Sequence, residues 1–172
     1  FAGALGHPGL TLAQGAIHLS GIEVTSRFPD GILFTLSVAG SQDIVAITLR
    51  YRVIGERVER LDRLGFAEAP DVEAEFLLRT DTADRYIPPG AEMEYRFEIE
   101  DAAGDRIETE PQRFVLLDPR FSWRRLDGPG GYILYHGGER DLAQRVLDGA
   151  LITLQDMGKL MGVTVEEPLR IT

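Results

Sequence analysis

The chain has 172 residues, 44% hydrophobic and 27% charged, which is enough apolar side chain for one domain core plus a small appended unit. Its formal net charge is −10, and Lys159 is the sole lysine among 18 basic residues. With no Lys/Arg cluster, a nucleic-acid-binding face is not expected. The absence of cysteine excludes a disulfide framework, a thiolate-ligated zinc or iron–sulfur site and a cysteine nucleophile.

Residues 1–16, FAGALGHPGLTLAQGA, carry no Asp, Glu, Lys or Arg, and the first charged residue is Glu23. Such a run reads as an apolar arm or the remnant of an export signal. It implies an extracytoplasmic location, at the cell surface or in the periplasm, with peripheral membrane contact through the arm. No run reaches the ~20 uninterrupted apolar residues of a spanning helix.

From residue 17 to 118 the apolar period is two. IHLSGIEV is a first strand, and FPDG at 28–31 is a turn, because proline and glycine supply its special backbone angles. ILFTLSVAG follows with Ile32, Phe34, Leu36 and Val38 on one face. DIVAITLRYRVIG comes next, with Val45, Ile47, Leu49, Tyr51 and Val53 inward. VERLDRLGFAEAP is less regular and reads as an edge strand and loop. DVEAEFLLRT turns Val72, Ala74, Phe76 and Leu78 inward. Pro88, Pro89 and Gly90 make a turn that launches AEMEYRFEIED, with Met93, Tyr95, Phe97 and Ile99 inward and Glu94, Arg96 and Glu98 outward. DRIETEPQRFVLLD closes the run. About seven short alternating strands predict an antiparallel β-sandwich of immunoglobulin or fibronectin-III type, not a parallel sheet with continuous apolar strands.

Asp118-Pro119 marks a boundary, and residues 119–131, ending in DGPGG, read as a linker. Residues 132–172 then change pattern. YILYHGG is a brief strand, and a helix of about 23 residues follows from 139. Its apolar stripe is Leu142, Val146, Leu147, Ala150, Leu151, Leu154, Met157 and Met161; Glu139 and Asp141 favour the N-terminus and Gly162 the stop. A last strand is entered through Pro168. The whole is a mostly β chain: a sandwich followed by a small β-α-β segment with one long helix. A β-α-β segment cannot bury both faces of its sheet alone, so it packs on the sandwich or opens a further domain.

These regions resemble a known architecture. FPDGILFTLSV, ITLRYRV, YIPPGAEMEYRFEIEDAAGDRIETEPQRFVLLDPRFSW and YILYHGGERDLAQRVLDGALITLQDMGKLMGVTVEEPLRI, in that order and spacing, are similar to the N-terminal half of bacterial exported proteins of the peptidase MA-like family. Those are gluzincin-type zinc metallohydrolases in which an Ig-like sandwich precedes a peptidase domain. The resemblance implies an accessory role, with a zinc module later in the full protein. A zincin needs two histidines four residues apart on one helical face with a glutamate base. The histidines here, His7, His18 and His136, form no such motif. No catalytic residue carries over, and no catalytic activity, metal or cofactor is expected of this chain.

Candidate binding residues remain. Trp123, Tyr132 and Tyr135 fall near the junction, as a sugar- or protein-binding platform or as an interdomain plug. Leu147 and Leu154, on the helix stripe, are either internal packing or a surface for a protein partner or downstream domain. His136 at a strand end reads as a loop residue, since no second histidine is near it. Gly137 and Gly138 precede a helix N-terminus already supplied with Glu139 and Asp141, which disfavours phosphate. The acidic stretches at 81–84 and 100–105 are weak calcium candidates, because calcium asks for six or more converging oxygens. Neither a G-x-S-x-G motif nor a carboxylate pair placed for glycoside hydrolysis is evident. Three function classes follow: scaffold of a metallopeptidase, assembly subunit of a membrane or cell-surface complex, and carbohydrate-binding sandwich.

Overall fold

The computed structural model describes residues 17–83, 85–164 and 168–172. The expected apolar arm, 1–16, lies outside them. β1 (Ile17–Arg27) and β2 (Gly31–Val53) form a hairpin around a turn in which the Asp30 N–H donates to the Arg27 carbonyl at 2.8 Å and the Phe28–Pro29 peptide is cis.

β2 runs for 23 residues and belongs to both layers of the sandwich. Residues 31–39 lie between β1 and β4 (Ala69–Arg79); residues 44–53 lie beside β3 (Arg60–Arg63) and β7 (Glu92–Asp101). The ribbon β5 (Asp81–Thr82) and β6 (Arg85–Tyr86) stands apart, while β8 (Arg106–Glu108) and β9 (Gln112–Val115) extend the far edge of β7. All these pairings are antiparallel, so the β-sandwich is one continuous sheet curled about the exposed residues 41–43 of β2.

Two expected strands are thus one. Gly40, Ser41, Gln42 and Asp43 read as a break, yet the strand bends there and regains pairing beyond it. Ile44 pairs with Asp101 and Ala46 with Glu100, which leaves Val45 as a bulge. The bulge shifts the alternation by one residue: Ile44 is fully buried and Val45, expected inward, is only half-buried.

β1 is shifted likewise between Leu19 and Gly21, and along the core stretches of the other long strands the alternation holds. Ile32, Phe34 and Leu36 of one layer face Ile47, Leu49, Phe97 and Ile99 of the other, all fully buried. The Phe34 ring meets Tyr95 and Phe97 edge-on, at 5.2 and 5.7 Å between centroids, a geometry that adds to simple area burial. On the outer face, Arg50 bridges to Glu98 at 2.9 Å and Arg52 to Glu94 at 2.9 Å, as the outward placement of those glutamates requires.

The C-terminal unit begins with β10 (Arg124–Gly128) and β11 (Gly131–Tyr135), an antiparallel hairpin, followed by α1 (Arg140–Met161) and β12 (Leu169–Ile171), parallel to β11. The stretch expected as linker therefore contains a strand. Arg124, Arg125, Leu126 and Asp127 offer a single apolar residue, too little for alternation to register. Gly-Pro-Gly, which reads as a breaker, makes the tight hairpin turn. Gly162 ends α1 in the left-handed region (φ 67°), and the Val163 N–H returns to the Gly158 carbonyl at 3.0 Å.

Alternation along β11 sorts its two faces. Ile133 points to α1 and joins Leu126, Ala143 and Leu147 in a second small core. Tyr132 and Leu134 point the other way and are also buried. Arg170, opposite Tyr132 in the register, pairs through Nε with Glu92 of β7 at 3.2 Å, so this second face turns toward the sandwich.

Candidate functional site

The seam between sandwich and C-terminal unit is built around Asp118. Its carboxylate accepts the Arg120 backbone N–H at 3.0 Å and the Arg120 guanidinium at 2.9 Å, while its carbonyl accepts the Trp123 indole N–H at 2.8 Å. One residue thereby sets the course of the next five. Asp118 is buried, and the Arg120 hydrogen bond holds its carboxyl below the usual carboxylate range.

Three rings cluster beyond this turn. Phe121 lies parallel to His136 at 4.1 Å, and Trp123 meets His136 edge-on at 4.6 Å. His136, expected as an ordinary loop residue, is thus part of an aromatic cluster that sequence proximity to Trp123 does not suggest. Trp123, Tyr132 and Tyr135 do not converge. Tyr132 is buried on the sandwich side with the Arg125 guanidinium 3.9 Å from its ring centroid, and Tyr135 packs toward α1. Of the three, only Trp123 belongs to the ring cluster, and its hydrogen-bonding edge is already engaged.

The helix stripe divides likewise. Leu147 is fully buried between α1 and the hairpin, where its side chain comes within 3.0 Å of the Cβ position of Gly128. Leu154 is half-buried and lines, with Leu151, Gly130 and Val163, an open recess of about 490 Å³. Leu142, Val146, Met157 and Leu160 are instead 52, 44, 50 and 88% exposed. At ~100° per residue these four fall on one flank of the helix, contiguous with the buried row. The stripe is therefore wider than the three-stranded sheet can cover.

Among the described residues the acidic turns are spent on local contacts. The Asp101 carboxylate closes its own hairpin by accepting the Ala103 and Asp105 N–H groups at 2.9 and 3.0 Å, and Asp81 is chelated by Arg79 at 2.9 and 2.7 Å. Asp84 lies outside the described residues. Among the described residues no three His, Asp or Glu side chains are grouped to hold a metal ion. No helix among them is long and apolar enough to cross a membrane.

No protein-family model matches the chain, and no curated protein does. Among solved structures, the chain is similar to the Br derivative of BhCBM56, at 14% identity and a TM-score of 0.38 over 55% of this chain and 88% of the other. It is also similar to a carbohydrate-binding module family 56 β-1,3-glucan binding domain, at 20% identity and a TM-score of 0.32 over 57% and 96%. Neither family nor ligand carries over at these scores.

Proposed function

We propose that this chain is a non-catalytic scaffold: the front region of an exported, peptidase MA-like protein, whose sandwich presents a β-α-β unit to a downstream domain or a protein partner. The observation that carries the proposal is the exposed flank of α1, where Leu142, Val146, Met157 and Leu160 stay in water. Burial of such side chains is worth ~25 cal/mol per Å² of apolar surface, a gain the unit forgoes alone.

The test starts with the gene downstream of the Thr172 codon. A reading frame that continues into an HExxH-bearing domain supports the scaffold role. That domain, produced separately, should then bind this chain, and Leu142→Lys with Met157→Lys should abolish binding without unfolding, since both residues are exposed. Binding that survives the double substitution refutes the use of this face. A frame that stops at Thr172 leaves the assembly-subunit form, in which a larger membrane or cell-surface complex supplies the partner.

Carbohydrate binding is the second reading, and it rests on Phe121. Its ring is held by stacking on His136 yet stays 45% exposed, the arrangement a sugar face needs. Retention on insoluble polysaccharide that is lost on Phe121→Ala would establish it; flow-through of the unaltered chain would remove it.

A further inference from the structure

The exposed flank of α1 has a profile along its length. Leu142 and Val146 stand at one end, Met157 and Leu160 at the other, and between them the surface drops to the exposed Gly149 and Thr153. At ~100° per residue all six fall within one sector of about 80°, beside the buried row of Ala143 and Leu147. A Cβ added at Gly149 would meet no atom within 4 Å, so packing inside this chain does not demand the glycine. Glycine inside a helix weakens it, and what it offers in return is the close approach of another backbone. The Thr153 hydroxyl donates to the Gly149 carbonyl at 2.8 Å, so it asks nothing of a partner.

Two charges give the flank a direction. Arg145 and Asp156 are exposed and lie about three turns apart, hence on the same edge of the flank. No ion pair holds the Arg145 guanidinium among the described residues. Asp156 is met by Lys159 at 3.3 Å in an exposed pair, which contributes little.

A second copy of the helix, laid antiparallel about a two-fold axis between Ala150 and Leu151, matches each of these features. Leu142 then lies beside the partner's Met157 and the partner's Leu160, and Val146 beside the partner's Met157. Gly149 sits at the crossing against the partner's Thr153, where the missing side chain lets the backbones close up. Arg145 stands level with the partner's Asp156, and the two-fold axis makes the reciprocal pair at the same time. A parallel pair instead turns both charges toward the apolar row, where neither meets its opposite.

We propose that this flank is a homodimer interface: an antiparallel α1–α1 pair that crosses at Gly149 and is fixed in direction by two Arg145–Asp156 ion pairs. The inference rests on the reading of the flank as a docking face, and it names the protein partner as a second copy of this chain.

One helix pair is small for an interface, so sedimentation velocity of the full chain from ~1 to ~500 µM is the assay, with a sedimentation coefficient that rises from monomer to dimer expected. Gly149→Leu blocks the close approach but improves the helix. It should weaken dimerisation at least about ten-fold without lowering the melting temperature. Arg145→Asp and Asp156→Arg should each weaken it as well. An equimolar mixture of those two should dimerise again, since the mixed dimer contains one native and one inverted pair. Unchanged association in Gly149→Leu, or no recovery in the mixture, overturns the antiparallel pair. A chain that stays monomeric at the top concentration overturns the dimer altogether. The scaffold reading separates from this one: a downstream domain that binds the monomer, and is lost with Leu142→Lys and Met157→Lys, would uphold the scaffold and refute the dimer.

Discussion

Leu147→Ala tests whether the C-terminal unit holds together on its own core. Leu147 is the fully buried side chain of α1, and the core it completes otherwise contains only Leu126, Ile133 and Ala143 as buried members. Deleting it removes transfer free energy and leaves a cavity, and fully buried Leu→Ala changes cost about 3 to 5 kcal/mol. Gly128, opposite Leu147, has no side chain to fill the gap, so little relaxation is available. About 3 kcal/mol is a large share of what so small a core contributes, and α1 packs on β10 and β11, not on the large sheet. The expectation is local unfolding: on heating, helical ellipticity and the methyl signals of Ile133 disappear well before the methyl signals of Ile47 and Ile99. A single transition in which all these signals are lost together would refute the reasoning, because the helix would then share its stability with the sandwich.

Three further outcomes follow from particular groups. The Tyr51 hydroxyl is buried without a hydrogen bond, and burial pushes its pKa up to about 12. Its neutral form is favoured in the fold, so that contribution is complete below pH ~10 and is lost as pH rises from there towards 12. Tyr51→Phe should flatten this alkaline loss and cost less than about 1 kcal/mol at pH 7 in urea melts; a steep alkaline limb persisting in the variant would contradict it. Asp118 behaves oppositely. Its lowered pKa gives stability that is present above the unfolded carboxylate value near ~3.9 and lost as pH falls through the folded one, so Asp118→Asn should make the acid limb of the stability profile shallower, and an unchanged limb would contradict this. Gly90 has φ 84°, and a Cβ there would sit 1.7 Å from Thr172 Oγ1, so Gly90→Ala should speed amide exchange in β12 by loosening its end from the sandwich, whereas unchanged exchange would deny that contact a role.

Regular alternation was readable wherever each strand has one wet face: β7 shows the expected inward and outward residues, and its outward glutamates meet arginines. What escaped was governed by partners distant in the sequence. The Val45 bulge is a matter of register against Asp101 and Glu100. β10 has one apolar residue, and pairing to β11 makes it a strand. The helix was visible as a stripe, but a stripe does not say how much of itself a small sheet can cover, so Leu147 and Met157 looked alike until packing separated them. Tyr132 and Tyr135 are three residues apart in sequence and fall to different surroundings, because alternation along β11 sends positions an odd number apart to opposite faces.

β2 makes the two layers of the sandwich a single covalent object. A slip of one residue in its pairing with β4 would be carried through residues 41–43 into its pairing with β7, inverting both linings at once. The bulge at Val45 is where such an error can be absorbed, since it decouples the phase of the second half from that of the first. A residue inserted at the exposed bend would therefore be tolerated if the bulge could take it up, and the same insertion at Leu49, where Asp62 and Phe97 pair on either side, would misalign the whole second layer. The strand behaves as a spine with one joint, and the joint lies where the alternation of β2 falters.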